Sequence, residues 1–255
     1  MIRGATLFRV FMRSFFIQSS WGFGKMQGLG FASAVEPALK EMFKDKGQRI
    51  EALKRHLKFF NTQPYMASPV LGAALRLEEE ALKGGLAANS APDFKARVAG
   101  PYGALGDSFF WGSLRPMCSC AGALVAFALG VWGVMAFLLS FNVMHLWMRW
   151  HGLKQGYRLG PSVVSYIKSL ELPAAGQLMR NISAGMIGGI AGIFAWRFFV
   201  ASGLSGGFPR PMALAGVLIF LAAVMLAYML LKKGFTLARL IYAVLIPLVI
   251  YGISI

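Results

Sequence analysis

The sequence predicts an all-α integral membrane protein, with an amphipathic and partly re-entrant first half followed by about four transmembrane helices. Three observations carry this reading. The 255 residues are 57% hydrophobic and only 14% charged, with a mean hydropathy of +0.60, whereas soluble domains carry about 25% charged residues. Uncharged runs long enough to span a bilayer occur only after residue 116. The formal charge of +16 is spread over the first 115 residues and the loops between apolar runs, as juxtamembrane charge is. That spread argues against a nucleic-acid interface, which would gather the charge into a patch.

The chain divides near residue 116. Residues 1–116 hold sixteen Lys and Arg against nine Asp and Glu, while residues 117–255 hold ten against one, Glu171. The first module is expected to contact partner and solute, and the second to lie in the membrane. Thr6–Ile17 reads as an interfacial helix, with Arg9 and Arg13 on one face; a helix packed on a partner protein fits equally well. The stretch has Ala32-Ser33-Ala34 beyond it, but Arg9 and Arg13 interrupt any signal-like apolar core. Trp21–Phe31 is Gly-rich and reads as a loop or broken segment. Val35–Phe60 predicts two charged helices broken near Gly47, with Glu51 and Arg55 paired at i,i+4. Met66–Leu75 is apolar but too short to span. Arg76–Lys83 continues it as an amphipathic helix whose Glu78-Glu79-Glu80 read mainly as a solvated acidic patch, with one acid able to face inward. Gly84–Asp93 is a linker of small residues.

Met117–Phe141 has 25 positions without a charge, enough to span. Asn142–Arg180 is an amphipathic connection divided at Gly160-Pro161 and Leu172-Pro173. Ile182–Phe208 is a second apolar segment, interrupted by Arg197, with glycines at spacings that permit close helix approach. Met212–Leu231 and Phe235–Ile255 are the third and fourth spans. Four crossings put both ends on one side, and the Lys-rich first module places that side in the cytoplasm.

Two polar-aromatic blocks interrupt this plan: Phe59–Met66 (FFNTQPYM) and Gly106–Pro116 (GDSFFWGSLRP). Polar groups beside apolar segments are costly unless partnered or functional. In one reading Asp107 caps a short helix that ends near Arg115-Pro116, and Arg115 anchors the membrane interface. In the other, the second block is the polar tip of a re-entrant hairpin lining a solute cavity. There Asp107 accepts hydrogen bonds from sugar hydroxyls, Trp111 stacks on a pyranose ring, and Arg115 pairs with an acid or phosphate. Asn61 and Gln63 offer donors and acceptors suited to a polyhydroxyl ligand, or else form a simple turn. No catalytic constellation, cofactor site or metal cluster is present in the pattern. Cys118 and Cys120 are too close for a redox or metal motif and read as small buried thiols. His56 lies on a charged helix. His145 and His151 flank Trp147 and Trp150 as interfacial packing.

These residues resemble the IID component of the mannose/fructose/sorbose class of the sugar phosphotransferase system. The matching stretches are RSFF (13–16), SW (20–21), MQGLGF (26–31), LKRHL (53–57), FFNTQPYM (59–66), LEEEAL (77–82), GDSFFWGSLRP (106–116), NVMHL (142–146) and GLKQGY (152–157). They keep the family's order and cover most of the chain. The resemblance implies a non-catalytic, multi-pass permease subunit of the bacterial inner membrane. Such a subunit pairs with a IIC subunit, as a trimer of heterodimers, to move a hexose-type sugar. Phosphate would come from IIB, charged through IIA, so the phosphohistidines would lie on those partners. Asn61, Gln63, Asp107, Trp111 and Arg115 would face the sugar. The family usually has His where this chain has Gln63, and Asn and an acid where it has Gly22 and Gly24. Those departures leave open a regulatory or structural subunit that has lost sugar transport. A membrane enzyme acting on lipids or glycans would need a catalytic cluster the sequence does not offer.

Overall fold

The structure, a computed structural model, describes residues 1–201 and scattered positions between 225 and 243. Helices dominate the described residues: α1 (Gly4–Ser14), α2 (Gly28–Met42), α3 (Lys46–His56), α4 (Ala67–Leu82), α5 (Ser90–Gly106), a π-helical segment (Asp107–Leu114), α6 (Arg115–Leu129), α7 (Trp132–Leu159), a 3₁₀ turn (Gly160–Ser162), α8 (Val163–Ser169) and α9 (Leu172–Ala201). Residues Met1–Gly188 form one compact unit. The sequence-based boundary at residue 116 falls inside its longest helical run. The second unit, Gly189–Ile255, holds the end of α9. The predicted spans Met212–Leu231 and Phe235–Ile255 lie outside the described residues, apart from scattered helical positions.

The core forms where α4 crosses α7. A methyl group on Gly72 or Gly156 would overlap the facing backbone of Leu153 or Pro69, so both helices meet at backbone distance. Apolar side chains of α1, α2 and α4 fill the layer beside this crossing, with Val10, Phe31, Leu39 and Leu71 fully buried. Phe8 and Met12 of α1 stay exposed, as does Phe16 just after it, while Leu7 and Phe11 are buried. The helix therefore has an inward face on this chain and an outward aromatic face.

Three expectations are corrected. The helix break after α2 falls at Phe43–Asp45, not Gly47, because Asp45 caps α3 through a hydrogen bond from Gln48 N (2.8 Å). Glu51 pairs with Lys54 rather than Arg55, whose guanidinium reaches across to Glu78 instead. Glu78 and Glu79 are buried, not solvated. Glu78 accepts from Arg55 (2.8 Å) and His56 (3.0 Å), and Glu79 from Lys83 (3.0 Å) and Tyr157 (2.5 Å). A buried carboxylate survives only with such partners.

The predicted span Met117–Phe141 is instead a hairpin. Gly130 has φ +58, a conformation only glycine adopts readily, and it turns α6 back into α7. Gly122 and Gly133 face each other across the two arms. The tip is apolar, with Val131 and Trp132 exposed. Among the described residues one helical run, Ser90–Leu129, is long and apolar enough to cross a membrane. Gly185, Gly188, Gly189 and Gly192 have nothing within 4 Å of an added methyl. The close approach expected at those glycines is absent among the described residues.

Candidate functional site

The two polar-aromatic blocks meet; FFNTQPYM is the turn that one reading expected, whereas Gly106–Pro116 has neither predicted local structure. Asp107 is no cap. Its φ and ψ are helical, and the chain runs from α5 through the π segment into α6 without a stop. Gly106–Pro116 is therefore neither a short separate helix nor a hairpin tip. The turns widen to i→i+5 spacing over Asp107–Leu114, immediately ahead of Pro116, whose ring crowds the carbonyl four residues back. Ser113 Oγ donates to the Ser108 carbonyl (2.8 Å) within this widened turn.

The π segment presents a polar stripe. Asp107, Trp111 and Arg115 are exposed and four residues apart, and the Arg115 guanidinium lies 5.4 Å from the Trp111 ring centroid. Phe109 and Phe110 point the other way and are buried.

The FFNTQPYM loop lies beside this stripe and is held from both sides. Gln27 clamps it: Nε2 donates to the Thr62 carbonyl (2.7 Å), and Oε1 accepts from Thr62 N (3.1 Å). Gln27 N donates to the Phe60 carbonyl (2.8 Å). Gln63 Oε1 accepts from the backbone of Tyr65 (2.7 Å) and Met66 (3.1 Å), capping the start of α4. Gln63 is thus only 2% exposed, and its Nε2 is buried without a partner among the described residues. Asn61 is exposed at the loop surface. The five predicted residues separate into four at the surface and one, Gln63, beneath them.

Tyr65 joins the blocks. Its ring stacks on His145 (4.6 Å, 17° between planes), meets Phe110 edge-on (4.8 Å) and lies 5.7 Å from Trp111. Arg149, one turn beyond His145 on α7, is 4% exposed and sits between the Tyr65 and Phe15 rings at 5.0 and 4.8 Å. Nη1 donates to the Ser14 carbonyl (2.8 Å). Sequence reasoning passed over Tyr65, Gln27, His145 and Arg149. Signals existed for each: Tyr65 and Gln27 stand inside the matched motifs, and His145 and Arg149 share a helix face at i,i+4.

Comparison with known proteins gives the family. The family model for the phosphotransferase system mannose/fructose/sorbose family IID component matches residues 1–254. The chain belongs to that family of IID components. The mannose-specific IID component of Escherichia coli (strain K12) is 38% identical over 157 residues, covering 61% of this chain and 56% of that protein. The sorbose-specific IID component of Klebsiella pneumoniae is 34% identical over 189 residues, covering 74% and 66%. The fructose permease IID component of Bacillus subtilis (strain 168) is 33% identical, covering 62% and 58%. These alignments span roughly three fifths of the curated relatives' length. A chain of the mannose transporter ManYZ, solved with microcin E492, superposes with TM-score 0.60 at 27% identity, covering all of this chain and 96% of that one. As a IID component this chain is an all-α membrane protein. No group of His, Cys, Asp and Glu among its described residues could hold a metal.

Proposed function

We propose that this IID component is one half of a sugar permease of the bacterial cytoplasmic membrane. It works with a IIC subunit, as a trimer of heterodimers, and moves a hexose-type sugar that IIB phosphorylates with phosphate from IIA. The chain itself is not catalytic, and the phosphohistidines belong to the other subunits. The observation that carries this reading is the exposed stripe of Asp107, Trp111 and Arg115 against the loop that carries Asn61. A carboxylate and an amide can bind sugar hydroxyls, a half-exposed indole can cover the apolar face of a pyranose, and a guanidinium can donate to ring oxygens. Gln63 supports the stripe from below by fixing the loop that carries Asn61 and Tyr65. The ManYZ likeness and the mannose, sorbose and fructose relatives support the same solute class.

The test is co-expression with the neighbouring IIC candidate, purification through a tag on this chain, and titration with hexoses and amino sugars. Co-purification with saturable binding, weakened at least tenfold by Asp107→Asn or Trp111→Ala while the complex stays intact, supports the permease. A stable complex that binds none of the sugars overturns it in favour of a regulatory subunit. Loss of the complex in both variants would make the stripe a packing surface.

A further inference from the structure

A second surface adjoins the C-terminal end of the sugar stripe. A groove of about 500 Å³ runs between α6, α7 and α9, lined by Leu114, Met117 and Cys118, by Val143, Met144 and Trp147, and by Met179. Its lining is almost wholly apolar, and Val143 and Trp147 are exposed. A cation is fixed at one end. Arg180 Nη1 donates to Ser113 Oγ (2.7 Å), and Nη2 donates to Gln177 Oε1 (2.7 Å). Gly176 packs against this pair: a methyl group there would stand 3.1 Å from Ser113 Oγ and 3.4 Å from Arg180 Nη1. Both partners of Arg180 are neutral, and among the described residues it has no acidic partner. Ser113 precedes Leu114 and Arg180 follows Met179, so the guanidinium stands where the groove begins.

The three helices change character at this level. α6 starts at Arg115 and is uncharged beyond it. α7 has no Lys, Arg, Asp or Glu from Trp132 to Met148 and then carries Arg149, Lys154 and Arg158. α9 has Gln177, Arg180 and Asn181 before its apolar run from Ile182. Such a shared change, with Trp147 at the boundary, marks the depth of lipid headgroups. An apolar trough with an uncompensated cation at headgroup depth is complementary to one kind of molecule.

We propose that this groove seats an acyl chain of an anionic phospholipid whose phosphate pairs with Arg180. The lipid fills the space between the hairpin arms and α9 and neutralises a charge that the chain leaves open. Ser113 and Gln177 hold the guanidinium in place, so little ordering is needed on binding.

The experiment uses the full chain, purified in a neutral detergent and freed of native lipid. It is titrated with phosphatidylglycerol and with phosphatidylcholine of the same acyl chains, and bound lipid is counted by native mass spectrometry. Phosphatidylglycerol should bind one site about fivefold more tightly, the increment expected of one basic residue at a headgroup. Arg180→Gln should bring the two lipids to parity, and Arg180→Lys should keep the preference. Val143→Trp, which fills the groove, should weaken both lipids. Near-ultraviolet circular dichroism checks that each variant is folded. Equal binding of the two lipids by the wild type, a preference that survives Arg180→Gln, or binding unaffected by Val143→Trp would each overturn the assignment.

Discussion

A methyl group on Gly106 would stand 2.6 Å from Gln63 Cβ and 2.7 Å from Met66 Cγ, so the long helix and the loop ahead of α4 touch with no space to spare. This contact sets the distance between Asn61 and the exposed stripe. Gly106→Ala should push the two blocks apart and cost about 1–3 kcal/mol of stability, as over-packing does. Gly100 lies on the same helix with nothing within 4 Å of an added methyl. Gly100→Ala should be neutral or slightly stabilising, by up to about 1 kcal/mol. Thermal unfolding of the two variants in detergent gives the comparison, and equal melting temperatures would refute the close packing.

Arg149 makes a different kind of link. Its guanidinium ties α7 to the turn after α1 through the Ser14 carbonyl, and lies between the Phe15 and Tyr65 rings. Lysine keeps the charge but not the flat delocalised group that suits two ring faces. Arg149→Lys should destabilise the protein by about 2 kcal/mol, the scale of a desolvated cation–π contact. Arg9→Lys, at an exposed position, should leave the melting temperature where it was.

Much of this organisation was legible in the sequence, and the rest was hidden for physical reasons. Composition and charge placement gave the all-α membrane class, and the two blocks picked out in the sequence lie together in the fold. Asp107 misled because Gly-Asp-Ser is a good helix start by local preference. The backbone instead runs on through a π-helical segment ahead of Pro116. Gly130 looked like one more small residue in an apolar run, since hydropathy carries no sign of a reversed φ. Glu78 read as solvated because three acids in a row usually are. Only the tertiary fold brings Arg55 and His56 to it.

The same cluster predicts acid sensitivity. Burial holds the His56 imidazole below its ordinary value of 6.5, against the pull of the neighbouring Glu78 carboxylate. The ring is then neutral at pH 7, and Nε2–H donates to Glu78. Because the folded value is the lower one, the unfolded chain takes up this proton first. His56's contribution is complete above pH 6.5 and is lost as the pH falls through that value. Burial alone would raise the Glu78 and Glu79 carboxyls, but their hydrogen-bonded partners hold both below 4.5, Glu79 at about 2. Their contribution persists above 4.5 and declines below it. The melting temperature should therefore fall in two stages as the medium is acidified, first below pH 6.5 and again below 4.5. His56→Gln should flatten the first stage, and an unchanged first stage would remove His56 as its source.

The α6–α7 hairpin offers the sharpest structural test, because the two arms meet at backbone distance. A methyl group on Gly122 would stand 2.8 Å from the Gly133 carbonyl oxygen, and one on Gly133 would stand 2.5 Å from Ala126 Cβ. Gly133→Val should splay the arms, since a branched side chain cannot bend away from a facing backbone. Val134 is exposed one residue later and faces outward. Val134→Leu should therefore leave the hairpin closed. Spin labels at Ser119 and Ser140, both exposed on the two arms, report this directly. The Gly122–Phe137 and Gly133–Ala126 contacts set a register that puts these positions opposite each other, so the labels should lie within about 20 Å, and adding Val134→Leu should leave that distance unchanged. If the chain crossed the membrane as one straight helix through Gly130, the two positions would stand about 31 Å apart along the axis, so a distance of that size would sink the hairpin and restore the single span.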